Sequence, residues 1–424
     1  LTVAPRKTSI LRLVLAFGAA LLAAVAGPAA AQAASETEKR QGKRLAGIAS
    51  AVDRQIAEGL IPGAVVYVSE RGRPSYFTAQ GLQNLETREP IRTDNIFRYF
   101  SMSKPLTCAA VMTLYDDGLI NLDDPVKKYL PEFATMTVRT PAGVVPADRD
   151  MTIRHLMTHT SGLTYEVMQS LAASDYRDAD VFAIRNRQQE DLEHHVKRLA
   201  QLPLTAQPGT AWNYGESMGV LGRIVEVVSG QSYRGYLKAR ILEPLEMKDT
   251  DFFVPPEKAD RLAQLYIKGA GKPLVNLQDA AQYGGSYLTR PKLEYGGAGL
   301  VGTPADYMNF AQMMLDKGSF GDRRILSEKS VQLMTTNALP AALGDQPLEG
   351  RPRGVGFGYC GFVVVARDGD SPPGNVGEYG WNGWASTTFW IDPQRHLAGL
   401  IFTQVIPEVL GTSTLGPEVR AAIY

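Results

Sequence analysis

The chain has 424 residues, of which 44% are hydrophobic and 21% charged, and its 44 basic side chains balance 44 acidic ones. This length can bury a sizeable core, and the composition excludes a largely disordered chain. A net charge of zero does not supply the basic surface that nucleic-acid binding requires, so we expect no nucleic-acid partner.

The first 33 residues differ from the rest and are predicted to form a secretory signal peptide. Arg6, Lys7 and Arg12 come before or at the edge of an apolar run at residues 13–26, and the sequence Ala-Gln-Ala at 31–33 fits a cleavage site. A single membrane anchor is the alternative, but the run is short for a span of about 20 residues. We predict a periplasmic or secreted protein without a stable membrane anchor after cleavage.

Hydrophobic periodicity and turn residues predict the first elements after the signal. A charged helix at residues 36–59 is followed by a hairpin of two strands, residues 64–69 and 75–83. A helical run at 101–117 then ends at Gly118, a residue type that favours the C-termini of helices.

The middle of the chain, residues 122–296, is predicted to be helix and loop without a strand pair. Its charged stretch at 175–202 is predicted to be one amphipathic, solvent-facing helix. Further helices are predicted at residues 151–159, 218–229, 233–242 and 304–316, and strands at 354–366, 387–391 and 396–404.

This order of elements predicts an α/β fold of the α+β type rather than a doubly wound parallel sheet, because strands and helices do not alternate. We expect one antiparallel sheet flanked by helices and built from residues 34–121 and 297–424. A mainly helical domain, residues 122–296, is inserted between them, and we expect the active site between the two domains.

The chain holds two cysteines, Cys108 and Cys360, and five scattered histidines. Export would permit a disulfide, but Cys108 lies in an apolar helix, so we expect a buried free thiol. The cysteines and histidines form no metal-binding pattern, and neither a metal nor another cofactor is predicted. His194 and His195 lie in the charged stretch and are expected on a solvated face.

Residues 101–104, Ser-Met-Ser-Lys, place a hydroxyl and an amine three residues apart at the start of a helix. Residues at i and i+3 lie on one helix face, so the Lys104 amine can reach the Ser101 hydroxyl. The free N–H groups and the dipole of the helix start favour developing negative charge. The pattern predicts a nucleophile with its own base; the alternative is a capping serine followed by a surface lysine.

A second candidate nucleophile is Ser217, in the G-x-S-x-G sequence of residues 215–219. That pattern marks the nucleophile elbow of α/β-hydrolases when a buried strand comes before it. The preceding residues, 203–210, contain two prolines and a glycine and cannot form a central strand. We therefore predict that Ser217 only begins a helix.

A lysine base needs further groups, because its pKa in water is about 10.4 and must be lowered by desolvation or nearby cations. Tyr214 is the best candidate for a tyrosine that shares the proton, although a core or rim aromatic is the alternative among 18 tyrosines. Residues 381–384, Trp-Asn-Gly-Trp, suit a sheet edge whose amide completes an oxyanion hole.

This order of motifs resembles serine β-lactamases of class C and penicillin-binding proteins, and more closely the esterases of that fold, the family VIII carboxylesterases. The resemblance implies a β-lactamase/transpeptidase-like fold, with Ser101 as acylated nucleophile, Lys104 as its base and Tyr214 as proton relay. It also implies an oxyanion hole formed by the backbone amides of Ser101 and Trp384. It extends over nearly all of the chain after the signal, including residues 122–126, 152–163, 208–210, 243–247, 296–300 and 389–393.

Two positions depart from the penicillin-type pattern. Where lactamases and transpeptidases carry Lys-Thr-Gly, this chain has Trp381, Asn382 and Gly383, and Glu216 replaces the asparagine two residues after the tyrosine. Losing a cation and gaining an anion disfavours a carboxylate-bearing ligand, while Trp381 offers apolar surface. We predict that these four residues bind a small neutral carboxylic ester with a short acyl chain.

The predicted function is a carboxylesterase, a serine hydrolase that works through an acyl-enzyme. One alternative is a β-lactamase or D-amino-acid peptidase, with β-lactams also conceivable as side substrates. Another is a non-catalytic protein of the penicillin-binding type. His159 is expected to cap or pack its loop rather than to act as a base.

Overall fold

The computed structural model describes residues 28–269, 271–343, 348, 353–369, 371, 373–407 and 414–424, with only the backbone for 28–41. Residues 1–27, and with them most of the predicted signal peptide, lie outside the described residues. Among the helices within these ranges, none is both long enough and apolar enough to cross a membrane.

The strands of the described residues are β1 (Gly63–Glu70), β2 (Arg73–Asn84), β3 (Glu89–Pro90), β4 (Phe97–Arg98), β5 (Thr137–Thr140), β6 (Gly143–Pro146), β7 (Tyr266–Lys268), β8 (Leu274–Asn276), β9 (Val301–Gly302), β10 (Ser319–Phe320), β11 (Arg323–Arg324), β12 (Val355–Phe357), β13 (Phe362–Val364), β14 (Tyr379–Asn382), β15 (Thr388–Asp392), β16 (Leu397–Phe402) and β17 (Val405–Ile406).

The α-helices are α1 (Pro28–Ala57), α2 (Ser103–Asp116), α3 (Ile153–Met157), α4 (Ala173–Asp178), α5 (Ala183–Asn186), α6 (Leu192–Leu199), α7 (Ser217–Ser229), α8 (Tyr233–Leu237), α9 (Pro304–Leu315), α10 (Glu328–Thr335) and α11 (Leu415–Ile423). A π-helical turn, Lys238–Leu242, continues α8. The 3-10 turns are Phe100–Met102, Val126–Lys128, Pro131–Phe133, Pro256–Arg261, Ala281–Tyr283 and Ala341–Leu343.

One eight-stranded antiparallel sheet joins the two ends of the chain. Its order is β12-β13-β14-β15-β16-β1-β2-β3, and β1 pairs with β16 so that Val65 lies opposite Phe402. Because successive side chains of a strand point to opposite faces, Val65 packs in the larger core while Val66 and Val68 pack in a second core with α1 and α11. The predicted antiparallel sheet flanked by helices is confirmed.

Most predicted elements are confirmed, with small changes at their ends. The hairpin of β1 and β2, the helices α7, α8 and α9, and the late strands β15 and β16 lie where the sequence predicts them. The run at 101–117 begins with the 3-10 turn Phe100–Met102, continues as α2, and ends at Gly118, which adopts a φ of +72°.

Two predictions about the strands are wrong. Residues 354–366 form the hairpin of β12 and β13 rather than one strand, and the middle region does contain strand pairs, β5 with β6 and β7 with β8. These strands have three or four residues each, too few for the alternation of apolar and polar residues to be visible.

The charged stretch at 175–202 is not one solvent-facing helix but is divided among α4, α5 and α6. His194 is exposed, as predicted, but His195 is fully buried, so the prediction of a solvated face is wrong for it. The reason is that nearby carboxylates balance its charge inside the protein, as described below.

Cys108 and Cys360 form a disulfide, with 6.1 Å between their Cα atoms, so the prediction of a free thiol at Cys108 is wrong. Cys108 lies inside α2, and Cys360 lies in the turn between β12 and β13, where its N–H donates to the Met157 carbonyl. The two residues are 252 positions apart, so no local pattern reveals that they meet.

We expect that replacing both cysteines by alanine lowers the free energy of unfolding by about 2–4 kcal/mol, because the bond closes a very long loop of the unfolded chain. Chemical denaturation followed by circular dichroism measures this loss. The single variant Cys108→Ala breaks the same bond and should lose nearly as much as the double variant. Free thiols titrating in the denatured, unreduced wild-type protein would contradict the assignment.

Candidate active site

Ser101 lies at a strained turn directly before α2. Phe100 adopts a φ of +45°, which is unfavourable for a bulky residue and indicates a backbone held in place by its surroundings. Its buried ring packs edge-to-face on Trp384, with 5.9 Å between the ring centroids. Ser101 itself is partly exposed, so its hydroxyl is accessible while its backbone is fixed.

Lys104 lies one turn further along and is fully buried. Its Nζ lies 3.0 Å from Ser101 Oγ and donates to the Gly297 carbonyl oxygen at 2.7 Å. The ring of Tyr214 lies 4.7 Å from Nζ and that of Tyr165 5.7 Å. Burial lowers the pKa of Lys104 to about 7, although the Glu216 carboxylate acts in the opposite direction.

The segment that holds Lys104 is anchored on α2 by side-chain hydrogen bonds. The Leu300 N–H donates to Ser103 Oγ, and Thr107 Oγ1 donates to the Gly296 carbonyl. A Cβ at Gly297 would clash with the Tyr295 ring, so glycine is needed at this position. The segment therefore carries a carbonyl acceptor to Lys104 through its backbone alone.

Tyr214 makes a second contact with the Ser101 hydroxyl, since its Oη lies 2.7 Å from Ser101 Oγ. The preceding loop is fixed by the Asn213 N–H, which donates to the His159 carbonyl. The Tyr214 ring stacks on Trp212 at 6.0 Å and contacts Trp381 at 5.6 Å. The structure thus brings together Ser101, Lys104 and Tyr214 from separate parts of the chain.

The late strand β14 ends beside the turn Phe100–Met102, which carries Ser101. Trp381 and Asn382 are its last residues, and a Cβ at Gly383 would clash with the Tyr99 carbonyl oxygen. The Gly383 N–H donates to the Thr387 carbonyl, which fixes the turn that carries Trp384. The amides of Ser101 and Trp384 therefore belong to neighbouring turns, and their role as an oxyanion hole stays a prediction.

Aromatic rings line the surroundings of Ser101 on two sides. On one side, Trp384 contacts Phe182 at 6.1 Å and Tyr283 at 5.0 Å, and all three rings are partly exposed. On the other side, Trp381 packs between Tyr214 and Phe362. Sequence reasoning missed Phe182, Tyr283 and Tyr165, because isolated aromatic residues in loops carry no motif.

Glu216 does not lie where the prediction of substrate binding requires. Its side chain is 1% exposed, and its carboxylate lies 3.5 Å from the buried Nε2 of His195. Glu216 is also the N-cap residue of α7, but its side chain makes no capping hydrogen bond to that helix. This prediction is corrected: Glu216 is a buried anion behind the site.

His159 is fully buried, and neither of its ring nitrogens has a hydrogen-bond partner among the described residues. Burial, with Lys104 nearby, lowers the pKa of His159 well below its ordinary value. Its ring packs 4.9 Å from that of Tyr214 and 5.8 Å from that of Phe357. The prediction that His159 packs its loop is confirmed.

Ser217 is the first residue of α7 and is fully buried, with its Oγ 2.9 Å from Ser161 Oγ. No strand directly precedes it, since the described residues before α7 form a loop. The prediction that Ser217 is not a nucleophile elbow is confirmed.

The described residues include no group of three or more acidic, histidine or cysteine side chains that could hold a metal ion.

A family model described as Beta-lactamase matches residues 48–409. Esterase EstB of Burkholderia gladioli is 30% identical over 388 residues, covering 88% of this chain and 93% of EstB. Lovastatin esterase of Penicillium rubens is 28% identical over 388 residues, covering 84% and 92%. The solved structure of EstCE1, described as a hydrolase with promiscuous acyltransferase activity, matches with a TM-score of 0.78 and 26% identity, covering 91% of this chain and 99% of EstCE1.

We expect labelling of Ser101 by a fluorophosphonate to rise with pH and to be half-maximal near pH 7, because only neutral Lys104 can accept the serine proton. Mass spectrometry of the labelled protein between pH 5 and 9 gives the rate constants. The variant Lys104→Arg stays charged in this range and should label at least about 100-fold more slowly. A labelling rate that is still below half of its maximum at pH 9 in the wild type would contradict the prediction that Lys104 is a desolvated base.

Proposed function

The chain belongs to the Beta-lactamase family, among its esterases, and from this premise we propose that it hydrolyses small neutral carboxylic esters with short acyl chains. The resemblance to family VIII carboxylesterases and the β-lactamase/transpeptidase-like fold are both confirmed by the relatives and the matched structure. The observation that carries the proposal is the contact of one serine oxygen with both a buried lysine and a tyrosine.

In the proposed acylation, neutral Lys104 accepts the Ser101 proton while Oγ attacks the ester carbonyl carbon. The negative charge that develops on the carbonyl oxygen is stabilised by the backbone N–H groups of Ser101 and Trp384. Tyr214 donates a proton to the leaving alcohol oxygen as the ester C–O bond breaks, and Lys104 returns a proton to Tyr214. The products are the alcohol and an acyl group bound to Ser101.

In the proposed deacylation, a water molecule attacks the acyl carbonyl and gives its proton to the Tyr214–Lys104 pair. The bond to Ser101 Oγ then breaks, Oγ regains a proton, and the carboxylic acid leaves. If an alcohol takes the place of water, the same steps transfer the acyl group. This second candidate activity is favoured by the match to EstCE1, whose description names a promiscuous acyltransferase activity.

The neutral substrate is supported by the rings around Ser101. Trp381 occupies the place where lactamases carry a lysine, and an indole ring cannot neutralise a carboxylate. The partly exposed rings of Phe182, Tyr283 and Trp384 supply apolar surface on the other side. Each methylene group that a substrate buries there contributes about 0.8 kcal/mol, which favours alkyl over charged groups.

The proposal includes export to the periplasm or the outside of the cell. It is supported by the signal-like sequence of residues 1–33 and by the Cys108–Cys360 disulfide, because such bonds persist in oxidising compartments.

We expect Ser101→Ala to reduce hydrolysis of p-nitrophenyl butyrate by at least about 10⁴-fold, because the nucleophile is lost. The matched variant Ser217→Ala removes only a buried hydrogen bond to Ser161, so it should keep most activity and lose about 1 kcal/mol of stability. Initial rates and thermal unfolding measure both effects. Activity that survives in Ser101→Ala but not in folded Ser217→Ala would refute the proposal.

We expect a neutral ester to be hydrolysed at least about 10-fold faster, in kcat/KM, than an equally long ester that carries a carboxylate. A suitable pair is p-nitrophenyl methyl succinate and p-nitrophenyl hydrogen succinate, which differ by one methyl group. The carboxylate would lose water beside Trp381 without gaining a cation, which costs more than about 1.4 kcal/mol. Equal values of kcat/KM would contradict the selection for neutral acyl groups.

A further inference from the structure

A cluster of buried ionisable side chains lies behind Lys104 and has no part in the proposed reaction steps. His195 on α6 is fully buried, with Nδ1 3.1 Å from Glu190 and Nε2 3.5 Å from Glu216. Glu190 is further paired with Arg198 at 2.9 Å. Burying charges is costly unless they are paired, so such a cluster requires an explanation beyond packing.

The cluster reaches the active site through one layer of tyrosines. The Tyr295 hydroxyl interacts with the Glu216 carboxylate and lies 2.9 Å from the Tyr165 hydroxyl. The Tyr165 ring lies 5.7 Å from Lys104 Nζ, and Tyr295 precedes the glycine segment whose carbonyl holds Nζ. Glu216 therefore lies behind the layer of Tyr165 and Tyr295 that contacts Lys104.

The pairing of Glu216 is incomplete. The atoms Glu216 Oε2 and His195 Nε2 are within ion-pair distance, but neither makes a hydrogen bond within the described part of the chain. The other titratable groups that face Glu216 are Tyr176 on α4 together with Tyr165 and Tyr295. All three are neutral at physiological pH, so they leave part of the field of Glu216 to act on Lys104.

Lys104 has few other charged neighbours. The titratable groups that face it are Glu216, the rings of Tyr165 and Tyr214, and His159. His159 is neutral because it is buried, and Tyr165 is kept protonated by burial. Among the described residues, Glu216 is thus the anion that acts on Lys104.

We propose that Glu216, held by His195, is a positioning residue that places a fixed negative charge behind Lys104 and so sets the pH at which the site becomes active. The inference rests on the proposed function, because Lys104 must act as the base. Glu216 stands where the penicillin-type pattern has an asparagine. The proposal explains this replacement by an effect on the pKa of Lys104 and not by substrate binding.

The sign follows from the charges. Burial lowers the pKa of Lys104 and Glu216 raises it, so removal of the Glu216 charge lets the pKa fall further. For His195, burial lowers the pKa but the two carboxylates raise it above its ordinary value, which favours an imidazolium that offsets part of the Glu216 charge. The shift on removing Glu216 should therefore be smaller than the one to three units that an adjacent charge produces.

The test is the pH dependence of Ser101 labelling by a fluorophosphonate, with kcat/KM for p-nitrophenyl butyrate measured in parallel. In Glu216→Gln the half-maximal point should move to lower pH by roughly 0.5 to 1 unit. Glu216→Asp keeps the charge and should stay within about 0.3 unit of the wild type. A lower plateau rate without a shift of the half-maximal point would indicate a merely structural role and would overturn the proposal.

A second variant keeps the test decisive if Glu216→Gln does not fold. The double variant His195→Phe with Glu216→Met replaces the pair by apolar groups, which proteins often tolerate without loss of stability. Its half-maximal point should also move to lower pH, and an unshifted point would overturn the proposal. Wild-type protein that labels with the probe but hydrolyses no ester would refute the proposed function alone, because the labelling shift would still be measurable.

Discussion

The removal of Lys104 from water is the condition on which the rest of the site depends. A lysine in water is protonated at neutral pH and cannot take a proton from a serine. In this protein α2 buries the side chain, the rings of Tyr165 and Tyr214 cover its amine, and one backbone carbonyl at Gly297 holds it. A carbonyl positions Nζ without the full charge of a carboxylate, which would stabilise the ammonium form. Lys104 is thus held in place by a dipole, while the Glu216 carboxylate lies behind the layer of Tyr165 and Tyr295.

Two close backbone approaches set the distances around Ser101. Gly297 brings a carbonyl to Lys104, and Gly383 brings the end of β14 against the carbonyl of Tyr99, where a Cβ would clash in either case. Both approaches are made by backbone atoms. The positions of Lys104 and of the end of β14 beside Ser101 therefore depend on packing between distant segments. The Cys108–Cys360 disulfide acts in the same sense, since it joins the nucleophile helix to the hairpin that packs beside Trp381.

The sequence predicts contacts between residues that are close in the chain better than contacts between distant segments. Ser101 and Lys104 are three residues apart on one helix, so their contact is local and their spacing predicts it. Tyr214 and Trp384 lie more than 100 residues from Ser101, so the residues around them made them candidates, and the order of motifs in a known family connected them with Ser101. The aromatic residues Phe182 and Tyr283 had no such order to reveal them, and their contact with Trp384 joins segments about 100 to 200 residues apart.

The histidines 194 and 195 show the same limit at the shortest range. Both lie in a charged stretch, yet one is solvated and the other is fully buried. Each residue of a helix is rotated by 100° from the one before, so neighbours can face opposite environments. Asp191 caps α6 by accepting from the His194 N–H. The residues before and after the two histidines are largely polar, so composition does not distinguish them. The burial of His195 follows from its partners, Glu190 and Glu216.

The position of Glu216 changes the argument about substrate charge. An additional carboxylate two residues after Tyr214 suggests repulsion of anionic ligands, but a side chain that is 1% exposed and lies 3.5 Å from His195 has little effect outside the protein interior. In the proposed function, selection against carboxylates then rests on the lack of a lysine at the position of Trp381, whose ring is itself 5% exposed. The proposed selection against anionic substrates thus depends on the absence of a cation at that position, while the buried pair of Glu216 and His195 is proposed to act on Lys104. The two departures from the penicillin-type pattern therefore have separate physical consequences, one for the ligand and one for Lys104.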